Sequence, residues 1–246
     1  MKPSTSIIHD IREYIFPIFS VPVDAADDNK IFFDKRKYLG TGFFVTKQGD
    51  AITACHVIPT PDELEKNHKL IAVVMHEGNQ TTCWINKALK YSDIDLALIG
   101  LNLKNTKYLK FSDEQIYPGQ DVNIIGYPSH STNNSGLELR FLKGHVTLAH
   151  SALEINVPIP AGMSGAPVTI NDIAIGVATG RVRSEELIES FEEEQTIENN
   201  KEKIKIVEVK NIIYYGLAMP FIQIKHITEP LLNGRTLHNF IVDQNS

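Results

Sequence analysis

Cysteine is scarce in this chain, with only Cys55 and Cys83 among 246 residues. Two thiols make no disulfide framework and suit a reducing compartment, so both are expected to be free. Long apolar runs are missing too. The opening stretch MKPSTSIIHDIREYIFPIFSVPV is broken by Asp10, Arg12 and Glu13, which leaves neither a signal-peptide core nor a spanning segment. A cytoplasmic protein is expected. Excess positive charge is also lacking: 24 Lys and Arg stand against 30 Asp and Glu, a net charge of −6, with the basic residues scattered. A phosphate-tracking or membrane-binding surface needs the opposite balance, so no nucleic acid and no membrane is expected as a partner. NGRTLHN and GLELRFLKG contain glycine but not the spacing, followed by Lys-Ser or Lys-Thr, of a phosphate loop. His145 and His150 have no acidic or cysteine companions at ligand spacing. Cofactors and metals are therefore expected to be none, and no solenoid-length repeat is visible.

What the chain does have is a succession of short runs rich in Val, Ile, Thr, Tyr and Phe, divided by turn signals, the texture of an all-β protein. Strands are expected near 15–22, 38–46, 51–55, 69–76, 80–89 and 95–101, and again near 120–127, 137–149, 152–159, 166–170, 173–182 and 204–219. KQGD and HEGNQ supply hairpin turns, since Gly and Asn accept positive backbone angles. Two sets of about six strands predict a duplicated antiparallel β-barrel, residues 1–110 and 111–246, joined near KNTKYLKFSDEQ. Residues 185–202, EELIESFEEEQTIENNKE, break the texture: Glu-rich and without Gly or Pro, they read as a charged helix or an excursion rather than an interior strand. PFIQIKHITEPLLNGRTLHNF predicts a C-terminal helix on the second barrel.

Three local signals carry chemistry. In ITACHVIPT a histidine, His56, stands where an apolar run gives way to a turn; SDIDLALIG places Asp95 just before a buried run; PAGMSGAPV sets Ser164 between glycines. A serine hydroxyl is a poor nucleophile near neutral pH. It needs a neutral imidazole to take its proton, and that imidazole needs a carboxylate to fix its tautomer and stabilise its charged form. Asp93 is a rival for the carboxylate, with Asp95 preferred for its position at the start of DLALI. The glycines beside Ser164 permit a tight backbone that aims N–H groups at a developing oxyanion, a role given to the amides of Gly162 and Ser164.

GTGFFV followed by TACHV, then DLALI, GMSGAP, AIGVATG and YGLAMP together resemble the trypsin-like (chymotrypsin-fold) serine endopeptidases, in motif style closest to their HtrA-like branch. The resemblance spans roughly residues 35–225 and follows that family's order of His, Asp and Ser. It implies two packed antiparallel Greek-key β-barrels with the triad in the cleft between them, and cleavage of a protein or peptide substrate through an acyl-enzyme. It also implies a substrate-pairing strand at Ala178, Thr179 and Gly180, and a specificity pocket using Ile159 and Pro160 beside that strand. These positions hold no carboxylate, so an apolar residue before the scissile bond is expected, with selection of an acidic residue by Arg181 as the runner-up. Thr179 aligns with a hydroxyl that helps hold the catalytic carboxylate, or is there for strand propensity. Met163 stands where many members have Asp or Asn, and the chain ends soon after AMPF, so neither a zymogen switch nor a PDZ module is expected. Two other readings are a catalytically silent protease-fold scaffold, with residues 185–202 as its docking surface for a regulatory partner, and an esterase using the same triad.

Overall fold

The structure, a computed structural model, describes residues 11–24, 32, 34, 36–129, 137–198, 201–223, 239 and 241, with the backbone alone described over 183–198 and 201–213. The first half forms a seven-stranded antiparallel sheet from β1 (Ile15–Pro22), β2 (Lys37–Phe44), β3 (Asp50–Thr53), β4 (His68–His76), β5 (Asn79–Trp84), β6 (Lys87–Tyr91) and β7 (Leu96–Gly100), in the order β5-β4-β1-β2-β3-β7-β6. The second half closes into a six-stranded barrel of β8 (Asp121–Gly126), β9 (Arg140–Ala149), β10 (Leu153–Ile155), β11 (Pro167–Ile170), β12 (Ile173–Glu198) and β13 (Lys201–Pro220), in the order β10-β13-β12-β11-β8-β9. This is the all-β, chymotrypsin-like arrangement. The run expected as one strand over 80–89 is two, because the chain turns at Ile85 and Asn86 to bring β6 against β7 instead of β4.

Burial explains the strand pattern. IFPIFSVP is buried at every position but its last, which suits β1, a strand paired on both sides by β2 and β4. β5, at the sheet edge, keeps only Cys83 buried. One core cluster draws Ile15, Phe43, Ile52 and Leu96 from the first half together with Ile125, Val177 and Phe221 from the second, so the two halves share apolar packing. The joining segment is laced to both: Leu109 N–H donates to Phe44 O, while Ala174 N–H donates to Lys110 O and Ser112 N–H to Ala174 O. Asn239 and Ile241 are helical and Ile241 is buried in that shared core; the remainder of the expected C-terminal helix lies outside the described residues.

The Glu-rich segment is not a helix. β12 and β13 run far past the barrel as a two-stranded ribbon, paired from Ser184↔Ile213 to Glu198↔Lys201 with an irregularity between Ser184 and Ile188. Its register sets Glu189 opposite Lys210, Glu194 opposite Lys205 and Glu198 opposite Lys201. Between these opposite-charge positions lie others, with Glu192 opposite Val207 and Glu193 opposite Ile206.

Phe221 caps the seam between the halves, its ring 6.5 Å from Phe43 and 5.6 Å edge-on from Phe111. Phe221→Ala is expected to cost about 3–5 kcal/mol of stability in chemical denaturation, whereas truncating the exposed Tyr117 should cost under about 0.5 kcal/mol.

Candidate active site

His56 lies in the single 3-10 turn Cys55–Val57 that follows β3, with Cys55 and Val57 buried beneath it and its own side chain half exposed. Turning over two buried neighbours directs the imidazole outward. Asp95 ends the second 3-10 turn, Ser92–Ile94, in the left-handed region at φ 49°, a conformation that Asp accepts more readily than most residues. Immediately after it the chain enters β7, where Leu96 is fully buried. The corner brings the Asp95 carboxylate onto His56: Oδ2 is 2.8 Å and Oδ1 3.0 Å from Nδ1, and Oδ1 also accepts the His56 backbone N–H at 3.0 Å. A carboxylate only accepts, so Nδ1 carries the proton and Nε2 keeps its lone pair. Asp93, the rival, is exposed in the turn and does not reach the imidazole.

Ser164 is partly exposed on the loop between β10 and β11, and the fold presses that loop against β2 and β3. Its carbonyl accepts the Thr41 N–H at 2.9 Å. Gly165 has φ +85°, and a Cβ there would fall 2.1 Å from Thr41 O, 2.2 Å from Thr53 Oγ1 and 3.0 Å from Ala54 N. Only glycine allows that approach, which brings the serine loop against the strand leading into His56. Among the described residues no hydrogen bond joins the Ser164 hydroxyl to the His56 ring; the Asp–His pair is bonded directly, and the backbone of the serine loop is packed against Thr41, Thr53 and Ala54, which lies two residues before His56.

The polar groups of the loop show a selective pattern. Ala161 O accepts from Ser129, Gly162 O from Tyr38 and Thr41, Met163 N–H donates to Pro160 O, Met163 O accepts from Ala166 N–H, and Gly165 N–H donates to Ala178 O. Among the backbone groups from Ala161 O to Gly165 N–H, only the amides of Gly162 and Ser164 have no partner among the described residues. Burial pushes the Tyr38 phenol well above its ordinary pKa, so its hydroxyl stays a donor.

The residues expected along the specificity pocket divide. Ile159 and Ala178 are buried in the barrel core, and Ala178 uses both its N–H, on Ala166 O, and its C=O, on Gly165 N–H. Pro160, Thr179 and Gly180 are partly exposed, and a Cβ on Gly180 would meet nothing within 4 Å. The Thr179 hydroxyl donates to Leu217 O at 3.3 Å and not to Asp95, so it serves the barrel rather than the carboxylate. Arg181 is exposed, its guanidinium 5.1 Å from the Tyr214 ring centre. Tyr38, Thr41, Thr53 and Ser129 were invisible to local pattern, because the loop they hold lies 32 to 124 residues away in sequence.

The family model of the trypsin-like peptidase domain matches residues 40–173, which include His56, Asp95 and Ser164. The chain belongs to the trypsin-like peptidase family. A serine-protease type of domain is thereby established, and no curated protein matches the chain. Its match begins at Gly40 and ends at Ile173, so the ribbon lies beyond the matched stretch.

Gly165→Ala is expected to destabilise the protein by about 3 kcal/mol or more, since it adds overpacking to a left-handed strain. Gly180→Ala, where the new Cβ meets open space, should change the denaturation midpoint by less than about 1 kcal/mol.

Proposed function

We propose that the protein is a serine endopeptidase in which His56, Asp95 and Ser164 are the catalytic residues, with no cofactor. The observation that carries the reading is the pair of amides at Gly162 and Ser164, without a partner among the described residues, in a stretch from Ala161 O to Gly165 N–H whose other backbone groups are bonded. Two N–H groups left free on either side of a serine suit an oxyanion hole. His56 Nε2 takes the Ser164 proton as the hydroxyl adds to the scissile carbonyl, and Asp95 holds the imidazolium that results. The imidazolium then protonates the leaving amine, and His56 next activates water to release the acyl group from Ser164. In this reading the cleft runs between the halves 1–110 and 111–246. Substrate pairs with β12 at Thr179 and Gly180, just past Ala178, whose own N–H and C=O are taken by Ala166 and Gly165, and Ile159 and Pro160 back the pocket. The absence of a carboxylate at those positions supports cleavage after apolar residues. Two buried free thiols support a reducing, cytoplasmic setting.

Ser164→Ala and His56→Ala should each lower turnover by several orders of magnitude, and the double variant should be little worse, because the two groups act in one proton transfer. A fluorophosphonate probe should label the wild type and not Ser164→Ala. New termini mapped with wild type against Ser164→Ala should follow apolar residues; labelling without any new termini would indicate an esterase, and no labelling a silent scaffold. Asp95→Asn should be crippling and Asp93→Asn mild.

The ribbon completes the proposal as a docking element for a basic partner or substrate segment. Its outgoing strand carries Glu185, Glu186, Glu189, Glu192, Glu193, Glu194 and Glu198 with no cation between them, a field that would act on encounter and weaken with salt. Replacing residues 184–213 by a short Gly-Ser turn should leave cleavage of a small neutral peptide unchanged and slow cleavage of a basic protein substrate at low salt, the difference vanishing at high salt. Equal behaviour of both substrates at low salt would rule the docking role out.

A further inference from the structure

In a trans peptide the C=O and the N–H point in opposite directions, so whatever holds a carbonyl aims the amide of the next residue. The described residues contain no cis peptide bond. The Gly162 N–H therefore takes its direction from Ala161 O, and among the described residues that oxygen is held by Ser129 alone, which donates to it twice, from its backbone N–H at 2.8 Å and from its hydroxyl at 3.1 Å. Ser129 is also packed on Gly162 itself, for a Cβ at Gly162, where φ is +91°, would lie 2.6 Å from Ser129 N. The peptide on the other side of Gly162 is fixed separately, by Tyr38 Oη at 2.6 Å and Thr41 Oγ1 at 3.1 Å from Gly162 O.

Ser129 is itself firmly mounted. It follows β8 by way of Tyr127, whose N–H donates to Thr41 Oγ1 at 3.1 Å and whose carbonyl, 2.5 Å from Tyr38 Oη, shares the single Tyr38 hydroxyl proton with Gly162 O. The two peptide planes flanking Gly162 thus have different owners, β2 for one and the segment after β8 for the other. A glycine between them offers little torsional resistance, so the first plane depends on Ser129 to keep its orientation. Turned over, that peptide would present Ala161 O in place of the Gly162 N–H, and a carbonyl oxygen there would repel an oxyanion instead of stabilising it.

We propose that Ser129 is a positioning residue for catalysis, the latch that keeps the Ala161–Gly162 peptide turned so that the Gly162 amide faces the oxyanion. The inference rests on the protease reading above and adds to it a residue outside the triad and the hole. It acts on the transition state, where charge appears on the oxygen, and not on substrate docking, so its signature is a change in kcat with KM preserved.

The test compares Ser129→Ala, which removes the hydroxyl bond and keeps the backbone one, with Ser129→Thr, which keeps both. Ser129→Ala should lower kcat about fivefold to twentyfold, a tenfold change being 1.4 kcal/mol in the barrier, with KM within about twofold. A peptidyl trifluoromethyl ketone, which forms an oxyanion on Ser164, should lose affinity by a similar factor, and Ser129→Thr should restore both. A rise in KM with kcat unchanged, or no change in either, would overturn the latch. A readout independent of turnover is the 15N-glycine spectrum, with Gly162 assigned by its disappearance in Gly162→Ala. Ser129→Ala should shift or broaden the Gly162 amide while the remote Gly78 and Gly119 amides stay put. An unmoved Gly162 signal defeats the proposal, while a moved signal in a protein that neither cleaves nor labels defeats the protease reading and leaves the latch as a feature of the loop.

Discussion

Thr41 is the residue on which the site depends. It is fully buried, and all its polar atoms are engaged: its N–H donates to Ser164 O, its carbonyl accepts from Thr53 Oγ1, and its hydroxyl accepts from Tyr127 N–H while donating to Gly162 O. Through these bonds β2 of the first sheet holds the serine loop, the end of β8 and the strand that leads to His56. A buried hydroxyl with satisfied bonds contributes about 1 kcal/mol or somewhat more to stability, but the same group left without partners would cost more than that. Thr41 thus ties the serine loop of the second half to β2 of the first, so the placement of that loop depends on how the two halves pack together.

Much of that was legible in the sequence, and for identifiable reasons. His56, Asp95 and Ser164 sit at junctions where a buried run meets a turn, and such junctions are local features that short-range pattern records. Most strands were legible for the same reason: short apolar runs bounded by turn signals, as in DLALIG and QDVNIIGY, mark segments that must be hidden, and β7 buries Leu96 to Ile99 without a break. The choice between Asp93 and Asp95 was open until the turn was seen, because both stand near the start of DLALI and only the left-handed corner at Asp95 decides which carboxylate swings onto the imidazole. Residues 185–202 were legible as an excursion and not as a strand pair, for a different cause. A strand's preference resides in its cross-strand partners, and the lysines opposite the Glu run are found on the returning strand, up to 21 residues from the glutamates they face. Tyr38 and Ser129 illustrate the same limit, since nothing near either of them in sequence announces a carbonyl in the serine loop.

The arrangement also sets where flexibility is tolerated. Gly165 is closed in by Thr41 and Thr53, so the backbone after the serine has essentially one conformation open to it. Gly162 is also crowded, but its neighbours there are the Tyr38 ring and the Ser129 backbone, which belong to separate elements. The loop is thus rigid on its C-terminal side and adjustable on its N-terminal side. An oxyanion hole with one fixed donor, Ser164, and one donor of adjustable direction, Gly162, would be assembled or dismantled by motion of a single peptide.

Leaving two amides unbonded runs against the general rule that backbone donors find partners. Water can occupy them in the free protein, since the Gly162 and Ser164 positions are only partly buried. Each other backbone polar group between Ala161 O and Gly165 N–H has a partner, among Ser129, Tyr38, Thr41, Ala166, Pro160 and Ala178. Had those bonds been absent, the loop would turn to satisfy its own amides, and the hole would close on itself. In the proposed function the surrounding network does more than stabilise: by bonding the other backbone groups of this stretch, it leaves the Gly162 and Ser164 amides to donate to a developing negative charge instead of to the protein, which is the preorganisation that oxyanion stabilisation calls for.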